Sequence, residues 1–194
     1  MMRPLSLIAL SSCLLSACGS SPPTRFYALS EVAPTSTSAV SGDANAVPVR
    51  VEPVAIPAEL DRLELVHHTG PNQVQVSDFD RWAAPLDEQI RRVLSEDLSA
   101  RLPAGWVTDP NEPSTGDPRR RLSIEIGRFE ANEGCAVTLH ASWTLRAAHA
   151  GSSRSGVERI DVPATSPCPA SLAAAMSRAL AALADRLAST LQSP

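Results

Sequence analysis

From Cys135 to Leu145 the chain alternates, with Cys135, Val137, Leu139, Ala141, Trp143 and Leu145 apolar and Thr138, His140, Ser142 and Thr144 polar between them. Successive strand side chains point to opposite faces, so this period of two commits the segment to an antiparallel strand with one buried and one wet face. Such a strand needs partners beside it and a layer over it. Two segments of helical period supply the layer. Leu86, Ile90, Val93, Leu94, Leu98 and Leu102 recur at spacings of three and four between Pro85 and Pro103. Leu172, Met176, Leu180, Leu183, Leu187 and Leu191 form a second stripe. Proline suits a first helical turn and stops a last one. On the first helix Asp87 and Glu88 precede Arg91 and Arg92 at the i,i+4 spacing that favours pairing.

The partners are shorter runs. Thr24–Leu29 reads as a strand, as do Val49–Ile56, Leu63–His68 and Gln73–Ser77. Gly70-Pro71-Asn72 is turn chemistry, so the last two should form a hairpin with Val74 and Val76 on its buried face. Leu122, Ile124 and Ile126 alternate, and Phe129 breaks the parity after Gly127, which predicts a bulge. Trp106-Val107 reads as a short strand, Asp109–Pro118 as a loop, and residues 30–47, rich in Ser, Thr, Ala and Pro, as a mobile loop. The expected fold is α/β of the α+β type. It has a single domain, residues 24–194, with a mixed, mainly antiparallel twisted sheet and two helices packed on one face.

The first residues stand apart. Arg3, an apolar run Leu5–Leu15 and small residues before Cys18 have the order of a secretory signal, and the run is far short of the ~20 residues a permanent span needs. Leu15-Ser16-Ala17-Cys18 resembles a lipobox, so residues 1–17 are expected to be cleaved and Cys18 acylated, leaving 18–23 as a short tether. Acyl chains anchor at about 0.8 kcal/mol per buried methylene. Six extended residues reach only ~20 Å, so the domain should sit close to the lipid surface. Gly19 follows the cysteine in place of an aspartate, which by resemblance to sorted lipoproteins favours the periplasmic face of the outer membrane. With 17 Lys+Arg, all of them Arg, against 21 Asp+Glu, no basic face for nucleic acid is implied.

Chemistry is sparse. Cys135 and Cys168 are the thiols left in an oxidising compartment and are expected to pair. A hairpin turn centred on Gly151-Ser152 would set them opposite each other, although Pro163, Pro167 and Pro169 can end the second strand early and let the register drift; the alternative is two free thiols. His67 and His68 are adjacent on a strand and point apart, while His140 and His149 have no carboxylate or thiol at ligand spacing, so neither a metal nor another cofactor is expected. There is no phosphate loop, nucleophile elbow or HExxH helix, and an enzyme is not expected. A hydrolase would need Asp78, Asp80 and His67 to assemble at a sheet edge, whereas Asp78 and Asp80 read more simply as caps for the turn into the first helix.

Three blocks occur in order: Pro57-Ala58-Glu59-Leu60-Asp61-Arg62, Thr69-Gly70-Pro71-Asn72, and Phe79-Asp80-Arg81-Trp82-Ala83-Ala84-Pro85-Leu86. With Arg25-Phe26-Tyr27-Ala28-Leu29, the lipobox and the Ala- and Leu-rich last helix, the chain resembles the ABC-type transport auxiliary lipoproteins of the paraquat-inducible protein C type over nearly all its mature length. The resemblance implies a non-catalytic docking or gating subunit. It would be held to the membrane by acyl chains and work with an MCE-domain periplasmic protein and an inner-membrane transporter in moving phospholipid between membranes; a homo-oligomer is compatible with it. Phe79, Arg81 and Trp82 are candidate partner contacts, since aromatic and Arg side chains favour interface centres, and Trp82 alternatively staples the first helix to the sheet. The other reading is a structural envelope lipoprotein that binds lipopolysaccharide or cell wall without a transporter.

Overall fold

Alternating strands and two apolar-striped helices resolve into two sheets and a helical layer. The computed structural model describes residues 22–34, 47–70, 72–109, 120–131, 136–147 and 153–192. The elements run β1 (Arg25–Tyr27), β2 (Val49–Val51), β3 (Glu64–Gly70), β4 (Gln73–Trp82), α1 (Leu86–Arg101), β5 (Arg120–Ala131), β6 (Ala136–Ala147), β7 (Ser153–Pro163) and α2 (Pro169–Gln192). The α+β class holds, but the strands divide between a three-stranded sheet, β1-β4-β3, and a four-stranded sheet, β2-β5-β6-β7. Among the described strands β1 pairs with β4 and β2 with β5 in parallel, and the other strand pairs are antiparallel.

The larger sheet behaves as its period requires. Val137, Leu139, Ala141, Trp143 and Leu145 of β6 are all buried, as are Leu122, Ile124, Ile126 and Phe129 of β5. The ladder between these strands slips between Ile126 and Arg128, so the bulge at Gly127 is what returns Phe129 to the core face. Both helices bury their stripes: Leu86, Ile90, Val93, Leu94 and Leu98 on α1, and Met176, Leu180, Leu183, Leu187 and Leu191 on α2. They pack on each other, and α2 crosses β5, β6 and β7. Arg92 pairs with Glu96 at 2.8 Å and donates to Leu29 O at 2.9 Å, turning charge expected to serve the helix alone toward the N-terminal segment. Trp106-Val107 makes a single parallel bridge, Val49 with Val107.

Several expectations are corrected. The β6–β7 register sets Ala136 against Pro163, where opposed Cys135 and Cys168 would require Pro167. Cys168 is free and exposed, lying beyond the end of the ladder, and Cys135 is outside the described residues. Packing decides the register. Trp143 faces Gly156, and a Cβ built there would lie 2.7 Å from the indole, so the ring occupies the room a side chain would need. Val74 and Val76 are 44% and 39% exposed instead of buried, because β4 becomes buried only at its far end, from Asp80 onward. The start of the 30–47 segment is strapped down: Ser30 N donates to Ser177 Oγ at 3.2 Å and Val32 N to Asp97 Oδ1 at 2.9 Å. Residues 35–46 and Cys18 lie outside the described residues.

Candidate functional site

The block Phe79–Leu86 closes β4 and leads into α1, and strand alternation divides its side chains between two tasks. Asp80 and Trp82 face inward and are buried, and Leu86 follows them into the core. Asp80 is the hub. Its Oδ1 accepts from Arg25 Nε at 2.7 Å and Tyr27 Oη at 3.0 Å, and its Oδ2 from Arg25 Nη2 at 3.1 Å and Ser77 Oγ at 2.8 Å. Burial alone would push this carboxyl up, but the hydrogen bonds from Arg25, Ser77 and Tyr27 outweigh it and hold it below its ordinary 3.8. The Tyr27 hydroxyl is raised, by burial first and by Asp80 second. Ala83 N donates to Tyr27 O at 2.8 Å, and Gln89 bridges Ala84 O to Leu29 N, each at 2.8 Å. The block is therefore a clasp that binds the three-residue strand β1 to β4 and α1.

Asp78 and Asp80 are strand residues and not the caps expected of them; Pro85 holds the N-cap position of α1, with no side-chain cap bond. Asp80 and His67 do line one cleft, together with Leu65, Trp82, Phe129 and Met176, whereas Asp78 is exposed. Both Asp80 oxygens are committed to the clasp. Trp82, at 4% exposure, is buried in the core.

Phe79 and Arg81 take the other face. Arg81 lies between two register partners, Phe26 on β1 and Glu64 on β3, and reaches Glu64 at 3.4 Å. Phe26 is 64% exposed and Phe79 37%. Among the described residues, every exposed large apolar side chain except Val157 lies on this sheet or, as Leu63 does, at its edge. Leaving such groups in water is unfavourable for an isolated domain.

A second cluster joins the sheets. Glu130 of β5 stands between Phe129 and Ala131, and all three are buried; α2 and β3 both pack against this strand. Its carboxylate contacts His68 Nε2 of β3 and Arg128 Nε. Glu59, on the exposed turn before β3, completes a trio whose ligand atoms lie within 4.8 Å of one another. Adjacent His67 and His68 point apart and are not expected to chelate together; the partners of His68 come from two other segments, and the local sign is an acid set between two core residues. His140 Nε2 is buried without a hydrogen-bond partner among the described residues, and His149 lies outside them.

Fold and surface together define a small α+β domain that presents one face of a three-stranded sheet. The architecture is that of a solved structure of an uncharacterized protein, with TM-score 0.72 and 20% identity over 88% of this chain and 100% of the other. It is also that of protein XCC0632 from Xanthomonas campestris, with TM-score 0.69 and 19% identity over 87% and 95%. The chain belongs to the family of ABC-type transport auxiliary lipoprotein components, whose model matches residues 27–188. It is similar to the intermembrane transport lipoprotein PqiC of Escherichia coli (strain K12) and that of Shigella flexneri, in each case 27% identical over 139 residues, 72% of both chains. Among the described residues no helix is long and apolar enough to cross a membrane.

Proposed function

We propose that this chain is a non-catalytic docking or gating subunit of an intermembrane lipid transport system, held by acyl chains on Cys18 at the periplasmic face of the outer membrane. The observation that carries the reading is the division of the Phe79–Leu86 block. Asp80, Trp82 and Leu86 build a rigid support, while Phe79 and Arg81 stand outward beside Phe26 on a sheet with few buried residues. Aromatic and Arg groups held on a strand are suited to anchor a partner, because little conformational freedom is left to lose on binding. β1 begins at Arg25, so a tether of residues 18–23 would keep this face near the bilayer, where an MCE-domain protein linked to an inner-membrane transporter would arrive.

Photocrosslinking from Phe26 and Phe79 in native membranes tests the proposal. Recovery of an MCE-domain protein from both positions supports it. Recovery of lipopolysaccharide or cell-wall material alone would make the chain a structural envelope lipoprotein instead.

A further inference from the structure

We propose that Glu59, His68 and Glu130 form a site for a zinc-class divalent cation that ties the two sheets together. The donors are one imidazole nitrogen and two carboxylates, with ligand atoms within 4.8 Å of one another. Around one tetrahedral ion with bonds of ~2.0–2.2 Å two ligand atoms stand about 3.4 Å apart, so the trio needs at most roughly 1.4 Å of closure. Glu59 can supply it, being exposed on a turn, while His68 and Glu130 are already in contact on β3 and β5. The imidazole selects against magnesium and calcium, which prefer oxygen alone, and favours zinc with water in the remaining position.

The electrostatics favour a cation. The Glu130 side chain is only 6% exposed, and its second oxygen is occupied by Arg128, which orients the carboxylate and leaves the other oxygen toward His68. Glu59 and Glu130 bring two carboxylates together beside the Arg128 guanidinium, and a buried anion without full compensation is unfavourable. A divalent ion among the trio supplies the missing positive charge. It would also join three separate parts of the fold: the turn in the Pro57–Arg62 block, the hairpin of the smaller sheet, and the bulged strand of the larger one. The site would thus fix the orientation of the exposed sheet relative to the core, by ligands that neither the clasp at Asp80 nor the outer face uses.

The test is calorimetric titration of zinc ion alone into the full mature chain in detergent, with thermal unfolding followed in parallel. The expected result is one saturable site per chain and a melting temperature that rises with zinc. Glu59→Gln, an exposed substitution on a turn, should weaken binding at least ~10-fold while leaving the metal-free melting temperature unchanged, and His68→Ala should do the same to binding. Cys168→Ser should bind as the parent does. No saturable uptake, equal uptake by the Glu59→Gln variant, or loss of uptake in Cys168→Ser would each overturn the proposal; if His68→Ala fails to fold, the Glu59→Gln comparison decides alone.

Discussion

Replacing Asp97 by Asn should change how stability depends on pH, and in a direction opposite to that of most carboxylates. Asp97 lies on α1 with no exposed surface, its Oδ1 accepting from Val32 N at 2.9 Å and standing 3.3 Å from Arg101 Nη1, while its Oδ2 has no hydrogen-bond partner among the described residues. Burial pushes this carboxyl from 3.8 up to about 6, against the lowering effects of the Val32 amide and Arg101, with Glu31 and Asp185 adding to the rise. Below about pH 4 the group is protonated in folded and unfolded chains alike and contributes nothing to the pH slope. Between about pH 4 and 6 only the folded chain keeps the proton, so stability from this group falls as pH rises; above 6 the loss is complete. Two pKa units at 1.36 kcal/mol each amount to ~3 kcal/mol. Asn does not titrate, and its unpaired amide adds an offset that does not vary with pH. Urea unfolding of both proteins from pH 4 to 8 should therefore show the difference between parent and Asp97→Asn swinging by ~3 kcal/mol toward the variant. Parallel profiles would refute the reasoning, since Asp97 would then ionise as freely in the fold as outside it.

Other substitutions separate support from surface. Trp82→Ala should cost ~3–5 kcal/mol in denaturant unfolding, whereas Phe79→Ala should change stability by less than ~1 kcal/mol and yet abolish partner crosslinking from Phe26. Gly156→Ala should lower stability by ~1–3 kcal/mol, because the new methyl meets the Trp143 ring, and pairing it with Trp143→Leu should recover part of the loss. Cys18→Ser should move the protein from the membrane pellet to the soluble fraction on cell fractionation while leaving its circular dichroism spectrum unchanged; retention in the pellet would show that something other than acyl chains holds it.

Local patterns carried the reading of the large elements. The stripes of α1 and α2 and the alternation of β5 and β6 depend on neighbours two to four residues away, and so does the bulge at Gly127. The candidate site was legible only in outline. The Phe79–Leu86 block stood out as a unit, but one aspartate in it was read as a cap, because Asp before a helix is a common cap and nothing local reveals Arg25, 55 residues earlier, as its partner. The burial expected for Val74 and Val76 assumed that alternation implies a covered face, yet the cover depends on what packs above it. Turn residues suggest one β6–β7 register, while the structure adopts another in which Trp143 fits over Gly156.

By itself, then, the order of residues determined the kind of the principal elements and carries the Leu15–Cys18 sequence that resembles a lipobox, since both are written over short spans. Tertiary structure alone decided that the strands split into two sheets, that Asp80 holds β1, and that Glu59, His68 and Glu130 meet. The physical reason is common to all three: a charge pair or a ligand set depends on distances across space, which residues far apart in the chain acquire only when the core has brought their strands together.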